Sequence, residues 1–218
     1  MEVIIGADIG QQHDPTAVCV IEVIKSSART GWAMPAGERV VEPRDILPVT
    51  RTETSYAVRF LERLPLGTPY PQVAERLAVI VGNLKAMKPT SLLLRVDATG
   101  VGRPIVDLLR QHPGLKGVNI VAVSITSGDK WEPGGREATL GKAYLVSRLQ
   151  ALLQTGRIRL PRTPEAQALA EELKNFEIRV SESGRDTYGA FKTGSHDDLV
   201  IALGLATLQA PSRRLVTF

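Results

Sequence analysis

Apolar runs rich in β-branched residues open the chain and predict a strand hairpin. The first run, residues 3–7, ends on Asp8, the polar stretch GQQHDP follows, and a second run covers residues 16–24. Two such runs joined by a short polar turn favour antiparallel pairing. Residues 25–37 contain Ser, Gly and Pro and predict a loop, and residues 39–50 predict a third strand interrupted by prolines.

The middle of the chain alternates between helical and strand patterns. Apolar residues from Pro71 to Met87 recur at helical spacing, and Pro89 ends the helix. The segment SLLLRVD, residues 91–97, predicts a buried strand; a turn, ATGVGRP, and a helix follow it, and residues 119–123 predict another strand. This order predicts parallel strands and an α/β fold.

The last third predicts two more helices, a hairpin and a final apolar helix. Residues 124–136 are polar and rich in Gly and Pro, which indicates an exposed loop, and a helix is predicted for residues 137–154. Another helix begins at Thr163 or Pro164 and ends near Lys174. Residues 176–180 and 187–191 predict a hairpin, and SHDDLVIALGLATL, residues 195–208, predicts the last helix.

The length and composition of the chain indicate a single folded domain without internal disulfides. With 218 residues and 43% hydrophobic content, the chain is expected to form one domain, residues 1–218. One cysteine, Cys19, excludes an internal disulfide, and neither a signal peptide nor a membrane-spanning run is recognisable, so a cytoplasmic location is expected. The net charge of +4 weakly favours anionic partners such as nucleic acid.

Aspartates stand at the ends of three predicted elements. Asp8 and Asp97 each follow a buried strand, and Asp197 and Asp198 open the last helix. Ligands of open α/β sheets bind outside the carboxyl ends of the strands, so these acids are predicted to converge. Clustered carboxylates raise one another's pKa and need cations. Hard ions such as Mg²⁺ or Mn²⁺ suit oxygen ligands, and two of them can hydrolyse a phosphodiester.

Each aspartate also has a simpler interpretation. Asp14 precedes a proline and is typical of a turn. Ser195 and Asp198 have the spacing of a capping box, so capping alone is an alternative explanation for the acids of the final helix. The three histidines and the cysteine lack the spacing of a zinc site. No single aspartate excludes its simpler explanation. The occurrence of all these acids at element ends that are expected to converge is what favours a catalytic site.

One phosphate-binding pattern is rejected on its spacing. The stretch GREATLGKA resembles a P-loop, but five residues separate Gly135 from Gly141, and Ala143 stands where a hydroxyl is needed. The segment is also predicted to be the interior of a helix. Nucleotide hydrolysis through this stretch is therefore not expected.

Four segments together resemble a known family. They are GADIGQQHDPTAVCVIE, VDATGVGRPIVDLL, KAYLVSRLQALLQTGRIRLP and SHDDLVIALGLA. In this order they are similar to the nuclease domain of the large terminase subunit of tailed double-stranded DNA bacteriophages. The resemblance implies a ribonuclease H-like fold with a mixed central sheet flanked by helices. It also implies a metal-dependent endonuclease that cuts concatemeric phage DNA.

The resemblance also implies roles for individual residues. Asp8, Asp97, Asp197 and Asp198 match the acids that hold two metal ions, and Asp14 and His196 are secondary candidates. Basic residues near the expected site are candidates for contacts with DNA phosphates: Lys130, Arg136, Arg185 and Lys192.

The implied partners are double-stranded DNA, a packaging ATPase domain, the small terminase subunit and the portal protein, in the cytoplasm of a bacterial host. A complete large terminase also has an ATPase with a P-loop, and this chain has none. It is therefore expected to be either that nuclease domain alone or a stand-alone relative, and in both cases it could not drive DNA translocation by itself.

Two other classes of protein remain open on the residues, and a third is disfavoured by the length of the chain. A Holliday-junction resolvase of the same fold also uses clustered acids. Sugar kinases and actin-like ATPases begin with a strand and turn like GADIG, but they generally need two such lobes, for which 218 residues are too few. A DNA-binding module without catalysis would bind DNA and never cut it.

Overall fold

The computed structural model describes residues 1–10, 14–33, 47–99, 102–180, 186–190 and 197–208. The strands are β1 (Glu2–Asp8), β2 (Ala17–Ala33), β3 (Leu47–Arg63), β4 (Ser91–Asp97), β5 (Asn119–Thr126), β6 (Trp131–Glu132), β7 (Glu137–Gly141), β8 (Ile158–Arg159), β9 (Phe176–Val180) and β10 (Asp186–Ala190). The α-helices are α1 (Tyr70–Ala86), α2 (Gly102–Gln111), α3 (Lys142–Gln154), α4 (Pro164–Asn175) and α5 (Asp198–Thr207).

A mixed sheet forms the centre of the molecule. In the described part of the chain, eight strands pair in the order β6-β7-β5-β4-β1-β2-β3-β8, and β9 pairs separately with β10. Strands β1, β2 and β3 are antiparallel, whereas β1, β4, β5 and β7 are parallel. The predicted α/β class and the mixed central sheet are confirmed.

Helices cover both faces of this sheet, so β1 is buried on both sides. Side chains of β1 alternate between two hydrophobic clusters: Ile4 packs with α3, α4 and α5, and Val3 and Ile5 pack with α1 and α2. A strand buried on both faces reads as a continuous apolar run, which is why residues 3–7 show no polar alternation. None of the helices in the described segments combines the length and apolar character needed to cross a bilayer.

Helix α5 lies directly against β1 because residue 6 is glycine. A Cβ atom on Gly6 would lie 2.0 Å from the carbonyl oxygen of Ala202 and 2.7 Å from the backbone nitrogen of Ala206. Any side chain would therefore push the helix away from the strand. Every residue of α5 is buried, in agreement with its almost wholly apolar sequence.

Several predicted elements are confirmed with small shifts at their ends. They include α1, β4, α2, the hairpin of β9 and β10, and α5. Helix α4 begins as predicted, and the hydroxyl of Thr163 accepts a hydrogen bond from the backbone nitrogen of Ala166 at 3.2 Å. The predicted hairpin of β1 and β2 is present with antiparallel pairing from Glu2 to Asp8.

Two predictions about the second and third strands are wrong. Residues 25–33, predicted as loop, continue β2, and the third strand runs from Leu47 to Arg63 instead of covering residues 39–50. Residues 34–46 lie outside the described part. The long antiparallel ladder explains the difference, because threonines of β3 pair with polar residues of β2, for example Thr52 with Ser27 and Thr54 with Lys25. Such pairing overrides the weak local preference of a polar segment.

The helix predicted for residues 137–154 also needs correction. It begins at Lys142, because residues 137–141 form β7, parallel to β5. In β7, Ala138, Leu140 and Gly141 are buried, whereas Glu137 and Thr139 are more exposed. A run this short cannot be distinguished from a helix by periodicity alone. The predicted loop 124–136 likewise contains the end of β5 and all of β6. The stretch GREATLGKA therefore crosses a strand-to-helix junction rather than a helix interior.

The contact at Gly6 predicts a large difference between two glycine substitutions. Gly6→Ala should lower the free energy of unfolding by about 2–3 kcal/mol or more, because the new methyl group overlaps backbone atoms of α5. Gly82→Ala on α1 is the matched control: apart from the neighbouring backbone of its own helix, a Cβ atom there would meet no atom within 4 Å, and alanine favours a helix by about 1 kcal/mol. Urea denaturation of both variants measures the difference. Equal stability of the two variants would contradict the close packing of α5 on β1.

Candidate active site

Two aspartates end neighbouring parallel strands. Asp8 is the last residue of β1 and Asp97 is the last residue of β4. Because Ala7 is paired with Val96 in the parallel ladder, the next residues along both strands are the two acids. The carboxyl ends of these strands lie at one edge of the sheet, as predicted.

Helix α5 brings the other two predicted acids to the same edge. Asp197 is its N-cap residue and Asp198 its first residue. Both line a cavity of about 470 Å³ together with Asp8 and Asp97. The convergence predicted from the sequence is therefore present in the structure.

Asp14 also lines this cavity. A Cβ atom on Gly10 would lie 2.0 Å from the carbonyl oxygen of Asp14, so the backbone at Gly10 and the backbone at Asp14 are in close contact. The hydroxyl of Thr16 donates a hydrogen bond to the carbonyl oxygen of Gly10 at 3.0 Å. Asp14 is exposed and lines the cavity, which is compatible with both its turn role and a secondary role in the site.

The side chain of Asp97 is oriented by Thr99. One oxygen, Oδ1, accepts hydrogen bonds from the backbone nitrogen of Thr99 at 2.8 Å and from its hydroxyl at 2.6 Å. The hydroxyl in turn accepts a hydrogen bond from the backbone nitrogen of Ile125 at 2.7 Å. Thr99 thereby ties the acid of β4 to β5 and fixes the direction in which its carboxylate points.

The first turn of α5 is capped from outside the helix. Asp197 makes no side-chain capping hydrogen bond. Instead, Oε2 of Glu172 on α4 accepts hydrogen bonds from the backbone nitrogens of Leu199 at 3.0 Å and Val200 at 3.3 Å. Ser195 lies outside the described residues. The described geometry therefore does not give Asp197 the capping role that the sequence left open.

Burial and like charges act together on the acids. Burial raises the pKa of Asp8 well above its usual value, and the charges of Asp97, Asp198, Asp197 and Asp14 raise it further. Burial also raises the pKa of Asp97, while the hydrogen bonds from Thr99 and the nearby charge of Lys142 oppose that rise. Ionising all of these acids together is unfavourable unless a cation enters the cavity.

The donor chemistry fits hard divalent cations. The cavity offers carboxylate oxygens, with the hydroxyl of Thr99 beside them, and these are the ligands that Mg²⁺ and Mn²⁺ take. Within the described residues, no three acidic, histidine or cysteine side chains already lie together at ligand spacing. The acids therefore surround the cavity rather than meet at one point.

A lysine missed by the sequence interpretation lies in the same wall. Lys142, the first residue of α3, lines the cavity, and its Nζ is 3.5 Å from Oδ2 of Asp197. It is the only basic side chain among the described residues of the cavity wall. Recognising β7 would have revealed it, because Lys142 follows the carboxyl end of that parallel strand.

The structure describes two of the four residues predicted to contact DNA, Lys130 and Arg136. Lys130 and Arg136 are exposed in the segment around β6, and neither lines the cavity. Arg136 uses its backbone carbonyl to accept a hydrogen bond from Arg110 at 2.9 Å. His196, Arg185 and Lys192 lie outside the described residues.

The fold matches solved structures of viral terminase nucleases. The large terminase nuclease from thermophilic phage G20c is 22% identical, with a TM-score of 0.60 over 94% of this chain and 80% of that one. The Thermus phage P74-26 large terminase nuclease domain is 19% identical, with a TM-score of 0.56 over 94% of this chain and 77% of that one. The human cytomegalovirus terminase nuclease domain, soaked with manganese, is 14% identical, with a TM-score of 0.55 over 94% and 81%.

These matches concern the architecture of the chain. The predicted likeness to large terminase nuclease domains, and with it the ribonuclease H-like fold, is confirmed as a structural match. A further G20c structure contains bound magnesium and another contains bound cobalt. No family model matches the sequence, and no curated protein matches it.

The raised pKa of Asp8 predicts that this acid destabilises the metal-free protein. A carboxyl whose folded pKa lies above 3.8 favours folding at low pH, and this contribution is lost as the pH rises from about 4 through the folded pKa. Asp8→Asn should therefore raise the melting temperature at pH 7 in EDTA, and the difference should shrink towards pH 4. Differential scanning fluorimetry across this pH range measures it.

Asp107→Asn, which alters an exposed acid on α2, is the matched control and should change stability by no more than about 0.5 kcal/mol. A melting temperature for Asp8→Asn at or below that of the wild type at pH 7 in EDTA would contradict the electrostatic description of the cavity.

Proposed function

We propose that this chain is a metal-dependent endodeoxyribonuclease that hydrolyses phosphodiester bonds in DNA. The observation that carries this proposal is the cavity in which the acids of β1, β4 and α5 face one another. Buried like charges of this kind are costly to maintain in a fold, and a cation-dependent reaction is the use that best accounts for them.

On this proposal, Asp8, Asp97, Asp197 and Asp198 hold two ions of Mg²⁺ or Mn²⁺, with Asp14 and His196 as secondary candidates. When bound, the ions activate the attacking water and stabilise the leaving oxygen of the phosphodiester. Thr99 donates two hydrogen bonds to Oδ1 of Asp97. These bonds fix the orientation of the carboxylate and therefore the direction in which Oδ2 points. Lys142 contributes a positive charge at the wall where the phosphate would lie.

The proposed substrate is concatemeric viral double-stranded DNA, which the chain would cut during genome packaging. The support is the structural match to phage and human cytomegalovirus terminase nucleases, together with the net charge of +4. The proposed partners are a packaging ATPase domain, the small terminase subunit and the portal protein, with residues 1–218 as a single nuclease domain in the host cytoplasm. The products would carry 5′-phosphate and 3′-hydroxyl ends.

DNA would be held mainly through its phosphates. Lys130 and Arg136 are exposed candidates for such contacts, and Arg185 and Lys192 are candidates from the sequence. Binding through phosphates depends on salt and discriminates weakly between sequences. Cleavage should therefore fall as the salt concentration rises, with little dependence on the sequence cut.

Plasmid nicking tests the proposed reaction. Wild-type protein should convert supercoiled DNA to nicked and linear forms with Mg²⁺ or Mn²⁺ and leave it intact with EDTA. Asp97→Asn should cut at least about 100-fold more slowly, because several kcal/mol of transition-state stabilisation is lost with a metal ligand. Asp107→Asn should cut at the rate of the wild type, because its side chain is absent from the cavity wall.

The other outcomes separate the alternatives. Gel-shift binding of the same DNA without cleavage in either metal would indicate a DNA-binding module, and the nuclease proposal would fail. Cleavage confined to four-way junctions, with linear duplex left intact, would indicate a junction resolvase. Equal cleavage rates for the wild type and Asp97→Asn would show that Asp97 takes no part in the reaction, and the proposed metal site would fail.

A further inference from the structure

The N-terminus of α5 is buried and depends on another helix for its hydrogen bonds. The first backbone N–H groups of a helix have no partners within it. The carboxylate of Glu172 supplies them for Leu199 and Val200, at 3.0 and 3.3 Å. Glu172 is only 9% exposed, so water has little access to replace it.

A partly buried arginine connects this cap to the cavity. Nη2 of Arg63, the last residue of β3, forms an ion pair with Oε1 of Glu172. Its Nε lies 3.7 Å from Oδ2 of Asp198, which is within the range of an ion pair and longer than a hydrogen bond. Asp198 is 2% exposed, so this interaction takes place away from water. The three side chains link β3, α4 and α5, and Asp198 also lines the cavity.

We propose that Glu172 is a positioning residue for the metal site: its carboxylate, held by Arg63, caps α5 so that Asp197 and Asp198 stay directed at the cavity. This inference rests on the proposed function. An external cap is what such a helix requires, because an aspartate that capped the helix itself would turn towards the backbone and away from the cavity. Glu172 on α4 therefore caps the helix, and Asp197 and Asp198 of α5 line the cavity.

The charge of Glu172 has a second effect through Arg63. The guanidinium lies between two carboxylates, Glu172 and Asp198, and its closer contact is with Glu172. Without Glu172, the positive charge of Arg63 would act on Asp198 alone and compete there with a metal ion. Glu172→Ala removes both the cap and this counterbalance, whereas Glu172→Gln keeps one oxygen that can accept from the backbone and loses the charge and the second accepting oxygen, which pairs with Arg63.

The test compares metal binding by the wild type, Glu172→Ala, Glu172→Gln and the matched control Glu171→Ala. Glu171 is the neighbouring residue on α4, is exposed and pairs with Lys174 at the surface. The first readout is the rise in melting temperature on adding Mn²⁺, which needs no activity. The second is the Mn²⁺ concentration that gives half-maximal plasmid nicking, measured at a temperature where circular dichroism shows each variant to be folded.

Glu172→Ala should need about 10–100-fold more Mn²⁺ for half-maximal nicking and should show a smaller metal-induced rise in melting temperature, as for other residues that orient metal ligands. Glu172→Gln should fall between Glu172→Ala and the wild type, and Glu171→Ala should match the wild type. If Glu172→Ala does not fold, Glu172→Gln carries the comparison with the wild type.

A residue that only stabilises the helix gives a different result. It would lower the melting temperature without metal and leave both the metal-induced rise and the half-maximal concentration at their wild-type values, which would overturn the inference. If the wild type binds Mn²⁺ and never cuts, a metal-induced rise that is lost in Glu172→Ala still supports positioning while the proposed nuclease fails. If the wild type neither binds nor cuts, both proposals fail.

Discussion

The burial of α5 is the constraint on which the rest of the structure depends. A helix enclosed on all sides needs hydrogen-bond partners for the polar backbone groups at both of its ends, and in this structure side chains from other elements supply them. Glu172 accepts from backbone nitrogens at its N-terminus. At the other end, Arg95 donates to the carbonyls of Leu205 and Leu208 at 3.0 and 2.9 Å, and Arg148 donates to that of Thr207 at 2.6 and 2.9 Å.

The charges of these capping side chains also complement the dipole of α5, because an acid lies at the start of the helix and two cations lie at its end. Although burial lowers the pKa of Arg95 to about 10, its guanidinium stays charged at neutral pH.

The same arrangement gives the cavity its rigid walls. Gly6 sets the distance between α5 and β1, the parallel register aligns Asp8 with Asp97, and Glu172 fixes the first turn of α5. The backbone elements thereby hold the acids near one another, and Thr99 fixes the direction of the Asp97 carboxylate. This is a costly arrangement without a cation, since each ionised acid opposes the ionisation of Asp8. A rigid mount of this kind is what a site built to bind cations needs.

The part of the site that could be predicted from the sequence is the part that local patterns encode. Asp8 and Asp97 follow long apolar runs, and the two aspartates of α5 precede another, so the strand ends and the helix start were recognisable. Lys142 was missed because five residues of β7 are too short to distinguish from a helix. Glu172 and Arg95 act on residues far away in the chain, and each sits in a segment whose local pattern indicates only a helix or a strand. Contacts of this kind are set by tertiary packing, and no spacing in the sequence reveals them.

The most direct test of the metal-site account is anomalous X-ray scattering from crystals of this protein soaked in Mn²⁺. The account predicts two manganese peaks in the cavity, about 3.5–4 Å apart. Both should be bound by carboxylate oxygens among Asp8, Asp97, Asp197 and Asp198. No manganese in the cavity, or a single ion bound without the acids of β1 and β4, would contradict it.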